Sequence, residues 1–201
     1  MIMKQSAVKI YSPPPVDLKN VLRYAADTKP TAETEQLYKS CLEECLPKTV
    51  YKVCYRWVKI SNGDFGINLD GMEIVSSDLK RRLDTCHRAV IFAATAGLDY
   101  DRLVARYGKT DTARAYVINA IGTERVEALC DLFCAELKKE ALSLCESTVP
   151  RFSPGYGDLP LELQREIFAF LHPEDIGVYI NGSLLMTPSK SVTAIVGIKK
   201  L

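Results

Sequence analysis

Arg151-Phe152-Ser153-Pro154-Gly155-Tyr156-Gly157-Asp158 opens the most informative stretch of the chain. It leads through a helix-length segment to Ile176-Gly177-Val178-Tyr179-Ile180-Asn181-Gly182 and then to Ser191-Val192-Thr193-Ala194-Ile195-Val196-Gly197-Ile198. Pro154 locks its own φ and pushes Ser153 into an extended conformation. Gly155 and Gly157 give the backbone freedom where it turns sharply or approaches a ligand. Tyr156 between them offers a flat apolar face with a polar tip. Asp158 suits an N-cap and Pro160 a first turn. Leu161, Gln164, Ile167, Phe168 and Leu171 then mark a buried helical face that His172-Pro173 ends. Segments 176–180 and 192–198 read as strands.

Upstream of this stretch lies the longest helical pattern, opened by Asp111. Val126, Leu129, Cys130, Phe133, Cys134, Leu137, Ala141 and Cys145 recur at steps of three and four, the mark of an amphipathic helix. Gly122 reads as a weak point in it. Glu127 lies at the edge of the stripe and Asp131 further toward solvent. Ala89 to Gly97 is a near-continuous apolar run, expected as a strand buried on both faces. A helix over 98–107 follows it, with Leu98, Leu103, Val104 and Tyr107 inward.

Residues 49–60 alternate, Tyr51, Val53, Tyr55 and Trp57 facing one way, which predicts a half-buried strand. The turns at 61–64 and Asp70-Gly71, with strands at 65–69 and 72–75, complete a small antiparallel meander. Ser76 or Ser77 caps the helix that follows. Before the meander, Ser12-Pro13-Pro14-Pro15 is a stiff extended lead-in. Two helical stretches follow it, the second stopped by Pro47. The expected fold is therefore α+β. A mainly antiparallel sheet flanked by helices occupies 49–201, and residues 1–48 form a helical N-terminal arm, in one compact unit overall.

Composition narrows the function. The chain has 201 residues, with 26 basic and 25 acidic side chains, a net charge of +1 and 47% hydrophobic residues. That balance argues against a nucleic-acid surface or a basic membrane patch. With no long apolar run and no signal-peptide core, a cytoplasmic protein is expected. The seven cysteines contain no C-x-x-C, and the pairs Cys41/Cys45 and Cys130/Cys134 fall on apolar stripes. They read as small buried hydrophobes, with no metal site.

Arg151, Pro154, Gly155 and Tyr156 match the R-x-x-x-G-Y signature, with its usual proline, of the activation (reactivation) domain of cobalamin-dependent methionine synthase. Ser183-Leu184-Leu185-Met186-Thr187-Pro188-Ser189-Lys190-Ser191-Val192 is similar to that domain's second conserved stretch, and 119–129 resembles the helix before the signature. The resemblance implies that S-adenosylmethionine binds over a corrin face. A one-electron reduction and methyl transfer from the sulfonium then restore methylcobalamin. Arg151 would hold the carboxylate in a two-armed fork, and Glu127 would balance the ammonium. Backbone around Ser153 and Gly155 would read the adenine edge, with Tyr156 at the cofactor-facing rim. No catalytic acid, base or nucleophile is implied. Without the resemblance, Glu127 is a solvated carboxylate and 151–156 a structural turn.

The chain carries no homocysteine, folate or cobalamin module. The resemblance thus implies a stand-alone protein acting in trans on a cobalamin-binding methionine synthase core, with an electron donor protein as further partner. Two alternatives stay open: an activator of another corrinoid protein, and a scaffold that binds no S-adenosylmethionine.

Overall fold

The computed structural model describes residues 6–63 and 66–201. In chain order the elements are β1 (Ala7–Tyr11), α1 (Leu18–Tyr24), α2 (Ala32–Cys45), β2 (Tyr51–Asn62), β3 (Ile67–Leu69), β4 (Met72–Ile74), α3 (Ser77–Leu83) and β5 (Arg88–Thr95). They continue with α4 (Asp99–Tyr107), α5 (Thr112–Ser143), β6 (Glu146–Thr148), α6 (Leu163–Leu171), β7 (Tyr179–Ile180), β8 (Met186–Thr187) and β9 (Ser191–Lys200). Seven strands form one antiparallel sheet in the order β4-β3-β2-β5-β9-β6, with β1 paired to β2 beside this path. β7 and β8 make a separate two-stranded ribbon.

The alternation of β5 shows how the layers arise. Val90, Phe92 and Ala94 meet α5 through Leu129, Cys130, Phe133 and Leu137. Ala89, Ile91 and Ala93 face the other way, toward Leu79 and Leu83 of α3 and Leu163, Ile167 and Leu171 of α6. Every second side chain of a strand points to the same face, so both faces of this central strand are buried. The first half of α5 packs instead on α1, α2 and α4, through Ile118, Ile121, Val21, Cys41, Cys45 and Tyr100.

Several sequence expectations need correction. β2 is not half-buried: Cys54 and Val58 are 0% and 2% exposed on the face opposite Tyr51 and Val53, because α6 covers them. The arm is not wholly helical. Residues 7–11 pair with 51–55 of β2, and since most of their side chains stay exposed, no apolar pattern marks them. The expected turn at 61–64 and strand from 65 fall partly on Asp64 and Phe65, which lie outside the described residues.

Leu98 is 37% exposed, and Tyr100 takes the inward position. Gly122 is a close approach rather than a weak point, since a Cβ there would sit 2.8 Å from the Tyr100 ring. Cys145 lies past the end of α5, exposed and with φ 57°. Leu161 is 40% exposed, and Leu163 fills the buried place.

Asp158 does not cap α6, whose N-cap residue is Glu162. Its carboxylate instead accepts from Ser76 Oγ (2.5 Å), Ser77 N (2.7 Å) and Asp78 N (3.1 Å) at the start of α3. The turn closed by Gly155 N donating to Leu159 O at 2.9 Å, with Gly157 at φ 56°, carries Asp158 across to that helix. These bonds, led by the one from Ser76, hold the Asp158 carboxyl below its ordinary pKa.

Burial pushes the Cys41 thiol up to about 11 and Cys45 to about 12, consistent with thiols packed as core residues. Among the described residues no helix is long and apolar enough to cross a membrane.

Candidate functional site

Phe152 anchors the loop that follows β6. Its N–H donates to Ile195 O, and Ile195 N–H donates back to Phe152 O, both at 2.9 Å. This bridge seats Arg151 against α5 and lets Ser153, Pro154 and Tyr156 overhang the start of β9. Beneath the overhang lies a cavity of about 360 Å³, whose lining includes Glu127, Arg151, Ser153, Tyr156, Gln164 and Thr193. On the other side of Arg151, between α5 and the arm, a second hollow of about 550 Å³ is lined by Pro15, Asp17, Arg23, Tyr24, Glu127, Asp131 and others. Both volumes lie in the range of about 300–1,000 Å³ usual for small-molecule sites. Arg151 and Glu127 border both.

Arg151 is therefore the centre of the site. Its Nη2 donates to Glu127 Oε2 at 2.5 Å and lies 3.2 Å from Asp131 Oδ1. Its Nη1 is buried and has no hydrogen-bond partner among the described residues. One arm of the guanidinium is held by carboxylates and the other is unpartnered, so the two-armed fork expected from the sequence is reduced to one free arm.

The remaining expected residues divide. Tyr156 is 69% exposed at the rim, and Ser153 lines the cavity. Gly155 does not line it. It sits at φ 89°, a conformation that glycine adopts without strain, and shapes the loop. Two of the backbone donors near the expected nucleobase site are committed to the turn: Gly155 N–H bonds Leu159 O, and Tyr156 N–H bonds Ser153 O at 3.2 Å. His172 lines neither hollow and pairs with Glu174 at 2.9 Å. Among the described residues, no group of three or more His, Cys, Asp or Glu could hold a metal ion.

Sequence reasoning missed Arg125. It is fully buried and donates to Glu124 through Nε and Nη2 at 2.5 Å each, to Pro14 O at 2.6 Å and to Pro15 O at 2.8 Å. Glu124 also accepts from Asp17 N at 3.2 Å. This cluster fastens the arm that walls the second hollow. The signal was available: Ile118, Ile121, Arg125 and Leu129 share one helical spacing, which puts a cation on an apolar stripe. Gln164 was read only as part of a buried face. Lys190, 8% exposed, donates to Asn119 Oδ1 (2.7 Å) and Thr123 Oγ1 (3.1 Å). It ties the start of β9 to α5, and burial lowers its pKa.

The chain is similar to the solved structure of the MetH reactivation domain bound to AdoHcy. The TM-score is 0.66 over 97% of this chain and 79% of that one, at 13% sequence identity. The resemblance is therefore one of fold. No family model matches the chain, and no curated protein matches its sequence.

Proposed function

We propose that this chain is a stand-alone activation protein that binds S-adenosylmethionine and supports reductive remethylation of cobalamin in a partner methionine synthase core. The observation that carries the reading is the buried, unpartnered Nη1 of Arg151, a residue that lines a cavity. A buried donor without a partner costs about 1–3 kcal/mol, and a ligand carboxylate would satisfy it with a charge-assisted bond. Glu127 and Asp131 beside it supply negative charge for an ammonium or sulfonium. Ser153 borders the ligand, Gly155 shapes the loop over it, and Tyr156 packs at the rim toward the partner.

S-adenosylmethionine, when bound, supplies the methyl group, and the residues of this chain bind and orient it toward the partner's cobalt. Cobalamin is carried by the partner, and the electron comes from a donor protein. Residues 1–48 and 49–201 act as one unit in this reading, the arm walling the neighbouring hollow that Arg151 and Glu127 also border.

The fold of the MetH reactivation domain, solved with AdoHcy, supports this reading. A second reading, a scaffold for a corrinoid protein that binds no S-adenosylmethionine, draws on the Glu127–Arg151 pair, which already half-satisfies the guanidinium.

Calorimetry with S-adenosylmethionine, combined with reconstitution with a methionine synthase core and a reductant, separates the two. Heat of binding together with restored methylcobalamin is expected. No heat with S-adenosylmethionine and no remethylation, with binding to the core retained, would establish the scaffold instead.

A further inference from the structure

Gln164 stands in the first turn of α6 among Leu163, Ile167, Phe168 and Leu171, all buried. It is 6% exposed, and its Oε1 is buried without a hydrogen-bond partner among the described residues. It also lines the 360 Å³ cavity that Arg151 borders. Buried polar atoms without partners are few in folded proteins and call for an explanation. Here two of opposite character belong to side chains that line one cavity: a guanidinium donor and a carboxamide acceptor. A ligand that satisfies both carries an anionic group at one end and an N–H donor at the other. The walls between them, Phe152, Tyr156 and Met186, suit a flat apolar body.

Resting on the proposed S-adenosylmethionine site, we infer that Gln164 is a specificity-determining residue that accepts a hydrogen bond from the exocyclic amine of the ligand's adenine. A carboxamide against an amine-bearing purine edge is a recurrent pairing for adenine. Arg82 and Arg151 in the same lining are donors only and cannot take this role. The Gly155 and Tyr156 N–H groups are engaged within the turn, so they do not compete for the ring nitrogens, and Gln164 supplies the side-chain acceptor.

The test uses the full chain and two ligands, S-adenosylhomocysteine and its analogue with hydrogen in place of the adenine 6-amino group. The wild type is expected to bind the amine-bearing ligand about tenfold more tightly, the effect of one hydrogen bond to an otherwise unpaired acceptor. Gln164→Leu is expected to bring the ratio near one with an unchanged or raised Tm, since the lost acceptor has no partner in the fold. Gln164→Glu keeps an acceptor and is expected to keep the preference. A ratio unaffected by Gln164→Leu, or a large fall in Tm with the ratio intact, overturns the inference and leaves the proposed function standing. A wild type that binds neither ligand overturns both.

Discussion

Two arginine–glutamate pairs meet on α5, and they differ in one respect that separates scaffold from site. Arg125 and Glu124 are both buried, and the guanidinium is surrounded: two bonds to the carboxylate and one each to Pro14 O and Pro15 O. Arg151 and Glu127 are only half-buried, and the guanidinium keeps one arm unpaired among the described residues. The first cluster is complete without a ligand, so its task is to hold the arm in place. The second is incomplete, and Arg151 lines a cavity, as the proposed ligand site requires.

The comparison is sharpened most by breaking the first pair. Arg125→Ala leaves the Glu124 carboxylate buried and uncompensated, and is expected to cost about 3–5 kcal/mol in urea unfolding. Arg125→Met with Glu124→Leu removes both charges, and most of that loss is expected to return. A single variant no worse than the double would show that the pair is not the arm's anchor.

Gly122→Ala tests the packing between the clusters and α4. Alanine improves helix propensity by up to about 1 kcal/mol, but its Cβ meets the Tyr100 ring at 2.8 Å. Overpacking of this kind costs about 1–3 kcal/mol, so a net loss in a denaturant melt is expected. A gain would mean that Tyr100 moves aside freely.

Arg151→Ala is expected to change stability by less than about 1 kcal/mol, as befits a partly exposed pair, while weakening S-adenosylmethionine binding at least tenfold by calorimetry. The smallest effect concerns pH. The folded-state pKa of Asp158 lies below its unfolded value of about 3.9. Its contribution is therefore full above that value and is lost as pH falls through the depressed folded one. Asp158→Asn should flatten the acid side of a Tm-against-pH curve and leave its slope unchanged near neutrality.

The same contrast explains what the sequence disclosed. Local signals were legible: the alternation of β2, the apolar run of β5, the Ser76 and Asp111 caps and the periodicity of α5 each depend on neighbours in the chain. Features set by distant partners were not. β1 is a strand because β2 offers an edge, not because residues 7–11 alternate. Asp158 caps α3 rather than its own helix because a tight turn delivers it there. At the site, the signature loop and Glu127 were visible as residue types. Which atoms of Arg151 and Gln164 stay unpaired depends on how α5, α6 and the loop meet.

The central claim is that the free arm of Arg151 holds the carboxylate of a sulfonium donor. Titrating the wild type and Arg151→Ala with S-adenosylmethionine and with its decarboxylated analogue measures this directly. The account predicts that the wild type binds the intact molecule at least about tenfold more tightly, the yield of one charge-assisted bond, and that Arg151→Ala binds the two equally. Equal affinity of the wild type for both would contradict it.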